Sequence, residues 1–82
     1  MKIVWDEAKR RENLAKHGMD FADLTLAFFE TARIKMAKRD RFLAIGELSG
    51  LTTVAVVFRP LGSQALSVIS MRTASRVERK SR

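Results

Sequence analysis

Thirty consecutive residues, 42 to 71, carry only two charges, Glu47 and Arg59. Turn chemistry cuts this block twice, at Ser49-Gly50 and at Pro60, Gly62 and Ser63. Three apolar runs of strand length result, at 41–48, 52–59 and 65–71. Connections this short cannot carry a crossover, so neighbouring runs must lie antiparallel. The run 52–59, Thr-Thr-Val-Ala-Val-Val-Phe-Arg, is rich in β-branched residues and barely alternates, which predicts a central strand. Residues 33–37 do alternate, Arg33 and Lys35 against Ile34 and Met36, as a half-exposed edge strand does.

The N-terminal third reads differently. Lys2 to Trp5 predicts a short strand, with Trp5 in the core. Asp6 is a good N-cap, Glu7 suits a positive helix end and Gly18 is a natural stop, so a helix is predicted over about 7–17. Its apolar residues are only Ala8, Leu14 and Ala15, which places it on the surface. A second helix is predicted over about 21–30, capped by Asp20 with Asp23 in its first turn. Met19 and Leu24 would staple its start, and Phe21, Leu24 and Phe28 would form its buried stripe. A closing helix is predicted over 73–80, capped by Thr73 and docked by Ala74 and Val77. The expected fold is α+β and one domain over residues 1–82. It has a small antiparallel sheet, two N-terminal helices and one C-terminal helix, in the order β-α-α-β-β-β-β-α.

Charge narrows the function. The chain has 16 Lys and Arg against nine Asp and Glu, net +7. The excess lies in two stretches, 33–41 and 72–82, each net +4, on either side of the uncharged block. A basic domain this small has a polyanion as its expected partner, nucleic acid before membrane. The alternative is two solvated charge runs. The opening Met-Lys-Ile-Val-Trp-Asp-Glu meets acids by Asp6, and no stretch is long and apolar enough for a membrane span. A cytoplasmic protein is expected. No cysteine is present, which excludes disulfide and thiolate chemistry. One histidine excludes a two-histidine acid–base pair. The carboxylates are scattered without metal-ligand spacing, and no phosphate-binding glycine loop occurs, so neither metal nor cofactor is expected. The absence of Tyr argues against a single-strand stacking platform.

Guanidinium and ammonium groups remain. Arg41 opens one strand run, Arg59 closes the next and Arg72 follows the last. The start of one antiparallel strand lies beside the end of its neighbour, which predicts that the three meet at one edge of the sheet. Planar, permanently charged arginines on a rigid sheet suit a phosphate and its transition state. Taken singly, each reads first as a strand terminus at the water boundary. Lys38, Arg76 and Arg79 belong to the two basic stretches that a polyanion would meet. His17, between Lys16 and Gly18, has two readings: a cation on the helix dipole, or a general acid or base near neutral pH. A crowded Lys16 is a substitute for it. Lys9, Asn13 and Lys16 share one helix face that either lines a groove or meets solvent. Glu47 reads as the outward side of a pleat, and Glu78 as the partner of a nearby arginine.

Taken together these motifs resemble a family. Trp5-Asp6, Lys9, Asn13 and Lys16-His17-Gly18 look like the opening signature of BrnT toxins. Phe21 and Phe28-Phe29 fit the segment that follows. Arg41-Phe42 with Ala44-Ile45-Gly46, and Val56-Val57-Phe58-Arg59, resemble its two central strands. Ile69-Ser70-Met71-Arg72, Ala74 and Glu78-Arg79 resemble its closing motif. The resemblance spans nearly the whole chain. It implies a RelE-like fold and a type II toxin that cleaves RNA without a metal and inhibits translation and growth. It also implies neutralisation by a BrnA-like antitoxin, through which alone operator DNA would be bound. On this reading His17, Lys16, Arg59 and Arg72 are catalytic candidates, and Arg41, Lys38, Arg76 and Arg79 hold RNA. Two features depart from the pattern. Ser67 stands where the family often has Arg, and the tail reads Lys80-Ser81-Arg82 in a chain with no Tyr, where an aromatic is usual. They motivate an alternative, a catalytically weakened homologue acting as antitoxin partner and co-repressor. A plain nucleic-acid-binding module is a third reading.

Overall fold

The computed structural model describes residues 1–50 and 52–80. Its elements are β1 (Lys2–Trp5), α1 (Glu7–His17), α2 (Leu26–Thr31), β2 (Arg33–Met36), β3 (Phe42–Leu48), β4 (Thr52–Leu61), β5 (Ala65–Thr73) and α3 (Arg76–Lys80). The strands form one sheet in the order β1-β5-β4-β3-β2. β2 to β5 are antiparallel neighbours, as their short connections require. β1 pairs parallel with β5, so the sheet is mixed, not wholly antiparallel as expected. The connection argument never reached β1, because most of the chain separates it from its partner.

The helix signals of α1 act as read. Asp6 accepts from the amides of Ala8 and Lys9, and Gly18 closes the helix at φ 69°. The second predicted helix breaks in two. Asp20 caps a single 3₁₀ turn, Phe21–Asp23, then Leu24 is extended and Thr25 caps α2. Two capping residues within six positions each seize an amide, and the chain between them straightens. Phe21, Leu24 and Phe28 are buried all the same. The closing helix starts late. β5 runs through Thr73, and Ser75 and Glu78 make a reciprocal capping box, Ser75 Oγ accepting from the Glu78 amide and Glu78 Oε1 from the Ser75 amide. Ala74 docks, but Val77 does not. Pro60, expected in a turn, lies within β4.

The main core lies between the helices and one face of the sheet, where Ala44, Val54, Val56, Phe58, Leu66, Val68 and Met71 meet Phe21, Leu24 and Phe28. Trp5 is half-buried at its border, edge-on to Phe21. The opposite face is free of α1 and α2. There Ile45, Ala55 and Ala74 form a small second cluster, and the Ala74 amide donates to Thr53 O at 2.9 Å. One irregularity decides which side chains reach that face. The β4–β5 register shifts between Val57 and Phe58: Val68 opposes Phe58, but Ser70 opposes Val57. Ile69 is the extra residue of a bulge. Simple alternation from Leu66 and Val68 would bury Ser70 and expose Met71. The bulge reverses this, so Met71 enters the core and Ser70 and Arg72 face outward.

Candidate active site

Two basic poles occupy the two ends of the sheet. The first is the β2–β3 hairpin. Arg41 precedes Phe42, Phe42 pairs with Phe58, and Arg59 follows Phe58, so both arginines reach the same end. Lys38, Arg39 and Arg41 line a surface depression of about 240 Å³, with Arg39 at φ 58°. Arg59 Nη1 lies 3.8 Å from Asp40 in the hairpin.

Arg72 is elsewhere. It pairs with Ala55, four residues before Arg59 along β4, which separates the two backbones by about 13 Å at roughly 3.3 Å a residue. The expected convergence of three arginines therefore fails, and Arg41 and Arg59 meet without Arg72. The end of β5 lies beside the start of β4, not beside its end, because antiparallel strands alternate direction. The Arg72 guanidinium forms a bidentate pair with Glu78, at 2.7 and 2.8 Å, and donates to Thr73 O at 3.4 Å. The hydrogen bond to Arg72, helped by the Ser75 amide, holds the Glu78 carboxyl far down, from 4.5 to about 2. The same bond raises Arg72 above the ordinary guanidinium value. Glu78 thus has the arginine partner read from the sequence. Arg76 and Arg79 extend this pole along exposed α3.

Beside the second pole runs a groove of about 250 Å³ between α1 and β5. Lys9, Glu12, Asn13, Lys16 and His17 line it from the helix, Ile69 and Ser70 from the bulge. The polar stripe of α1 therefore splits in role. Lys9, Lys16 and His17 are exposed in the groove, while Asn13 is buried. Its carboxamide donates to Met71 O at 2.8 Å and Met19 O at 3.1 Å, and accepts from the Met71 amide at 3.0 Å. β1 ends at Trp5, opposite Val68, so it leaves the β5 edge beyond unpaired. Asn13 takes the place of the missing strand there. Sequence spacing missed this role. The available signal was a mid-helix Asn on the face carrying Lys9 and Lys16. Ser67 stands directly across from Arg59, so an arginine at that position would set two guanidinium groups side by side. Ser81 and Arg82, the end of the tail noted above, lie outside the described residues.

The comparisons bear on what this arrangement is for. The family model described as the ribonuclease toxin BrnT of type II toxin–antitoxin systems matches residues 5–78. The chain belongs to the BrnT family. The 1.1 Å crystal structure of the Brucella abortus ribonuclease toxin BrnT is similar to it, with 60% identity and a TM-score of 0.89 over 93% of this chain and 99% of that one. A search of curated protein sequences found no match. A BrnT family member is a ribonuclease toxin, so the basic poles and the groove are places to look for RNA. No helix among the described residues is long and apolar enough to cross a membrane.

Proposed function

We propose that the chain cleaves RNA at the α1–β5 groove, with the strand laid along the sheet face that α1 and α2 leave open, toward the β2–β3 hairpin. The observation that carries this reading is the groove itself. It sets Lys16 and His17 beside Ser70, two residues from Arg72 on the same outward side of β5. The ribose 2′-OH attacks the adjacent phosphorus and loses its proton to a base. The P–O5′ bond breaks, and the leaving 5′-oxygen takes a proton. The products are a 2′,3′-cyclic phosphate and a 5′-OH end. His17 is the proton-transfer group, with Lys16 as its substitute. Arg72, aimed by Glu78, stabilises the charge that grows on the phosphoryl oxygens. Arg59, Arg41, Lys38 and Arg39 hold phosphates farther along the strand, while Arg76 and Arg79 hold those beyond the groove. The reaction needs no metal.

The fold is RelE-like, the site of action is the cytoplasm, and the result is arrested translation and growth. A BrnA-like antitoxin neutralises the toxin and alone carries operator binding. The family match supports an active ribonuclease over a degenerate co-repressor. The test is cleavage of a defined RNA by the antitoxin-free chain in EDTA. Wild type is expected to cut. Arg72→Ala and His17→Ala are expected to lose about 100-fold or more in rate. Arg59→Ala is expected chiefly to raise KM. Full activity of both Arg72→Ala and His17→Ala would place the chemistry elsewhere.

A further inference from the structure

On the helix-bearing side, one end of the molecule is apolar and uncovered. Leu26 and Phe29 of α2, Leu66 of β5 and Met1 line a cavity of about 330 Å³, with Glu30 as the only charged side chain on its wall among the described residues. Phe29 lies edge-on to Phe58, with centroids 5.1 Å apart, and Phe58 stacks on Phe42 at 5.9 Å. Phe42 pairs in register with Met36 on edge strand β2. Met36 is 77% exposed, and Ile34, on the same side of β2, is 44% exposed. An apolar strip thus runs from the cavity to the sheet edge, half-buried at Phe29 and Phe42 and buried at Phe58, and open again at Met36 and Ile34. One residue past Met36 lies Ala37, and then the cationic depression of Lys38, Arg39 and Arg41.

Scattered exposed apolar side chains are ordinary, but a strip joined to an apolar cavity marks a protein interface. RNA does not fit the cavity, since its walls are mostly apolar, no Lys or Arg side chain among the described residues lines it, and Glu30 repels phosphate. A second copy does not fit the strip, because two chains of net +7 would bring like-charged hairpins together. Charge complementarity selects an acidic partner.

We propose that this strip is where the antitoxin docks, through one amphipathic acidic segment. Its apolar side chains cover Met36 and Ile34 and fill the Leu26–Phe29 cavity. Its carboxylates enter the Lys38–Arg39–Arg41 depression. The proposal rests on the antitoxin partnership given above and adds its location. The docking surface lies apart from the α1–β5 groove. Inhibition then comes from carboxylates displacing RNA phosphates at the hairpin, not from plugging the groove.

The test is titration of the purified chain with its BrnA-like antitoxin, beside RNA cleavage and thermal melting. The Met36→Glu/Leu26→Glu variant is expected to bind the antitoxin about 30-fold or more weakly. Its melting temperature and antitoxin-free cleavage should match wild type. Met36→Glu alone, at the most exposed position, is the second variant and should weaken binding with its fold intact. Arg72→Ala should bind the antitoxin as wild type does while losing cleavage. Wild-type affinity in both Met36 variants overturns the docking surface and leaves the partnership standing. No binding by wild type overturns both.

Discussion

At the residue scale, one buried side chain ties α1 to β5. Asn13 satisfies both backbone groups of Met71, which lies 58 positions away and is fully buried. Removing the carboxamide leaves a buried N–H and C=O without partners, at about 1–3 kcal/mol each. Asn13→Ala is therefore expected to lower the melting temperature by roughly 10 °C or more, readable by circular dichroism. Asn13→Asp keeps the acceptor and loses the donor, so it should fall between. Glu78 supports a second prediction, in pH. Its carboxyl is lowered from 4.5 to about 2, chiefly by the hydrogen bond from Arg72. A group lowered on folding contributes stability above its unfolded value and loses it as pH falls toward its folded one. Stability from this pair should be intact above about pH 5 and decline between 4.5 and 2. Glu78→Gln should flatten that part of an acid titration followed by melting temperature. Unchanged steepness would show that the pair contributes nothing there. The groove residues Lys16 and Lys9 were legible at this scale, because helix spacing puts them on one face. Asn13 was not separable from them, since its partner is set by β5 and not by its neighbours in sequence.

At the element scale, α2 and β3 are in direct contact at Gly46. A Cβ placed there would meet Ala32 Cβ and Phe28 Cε1, both at 3.1 Å, and Ala32 Cα at 3.3 Å. The helix backbone cannot yield as a flexible side chain would. Gly46→Ala is expected to cost about 1–3 kcal/mol, with Gly46→Val costing more. Chemical denaturation should show a lower midpoint at unchanged slope. In the sequence Gly46 figured only within the Ala44-Ile45-Gly46 stretch of the family resemblance, because a close approach has no signature in one strand alone. Most elements were legible, for local reasons. Asp6 and Gly18 bound α1 by capping, and the turns at Ser49-Gly50 and Gly62-Ser63 bound the hairpins. The failures have local causes too. Thr25 competes with the helix predicted through it, and Ser75 with Glu78 outbids Thr73 as the cap of α3. β1 was recognised as a strand but its parallel pairing was not, since no turn ties it to β5.

At the scale of the whole molecule, the cations of 33–41 and of 72–80 form two poles, with Arg59 and Arg72 about 13 Å apart along the sheet. An RNA spanning both must release counterions at each. Binding should weaken with salt, the slope of log K against log[salt] being about −3 to −4 for roughly five phosphate contacts to a single strand. Charge reversal at one pole, as in Lys38→Glu with Arg39→Glu, should reduce the slope by about one or more. A flat salt dependence in filter binding would exclude a two-pole contact. Composition, charge balance, the order of the runs and the antiparallel hairpins are properties of the chain by itself, because they follow from local sterics, capping and short connections. So is the family resemblance, which rests on residues in order. Which residues share the outer face is not. An alternation pattern has only two phases, and the single extra residue Ile69 exchanges them, turning Arg72 to the outer face and Met71 to the core. That bulge, the parallel seating of β1 and the Asn13 clamp arise from contacts between segments far apart in sequence. Only the folded chain decides that Arg59 and Arg72 hold opposite ends of one face.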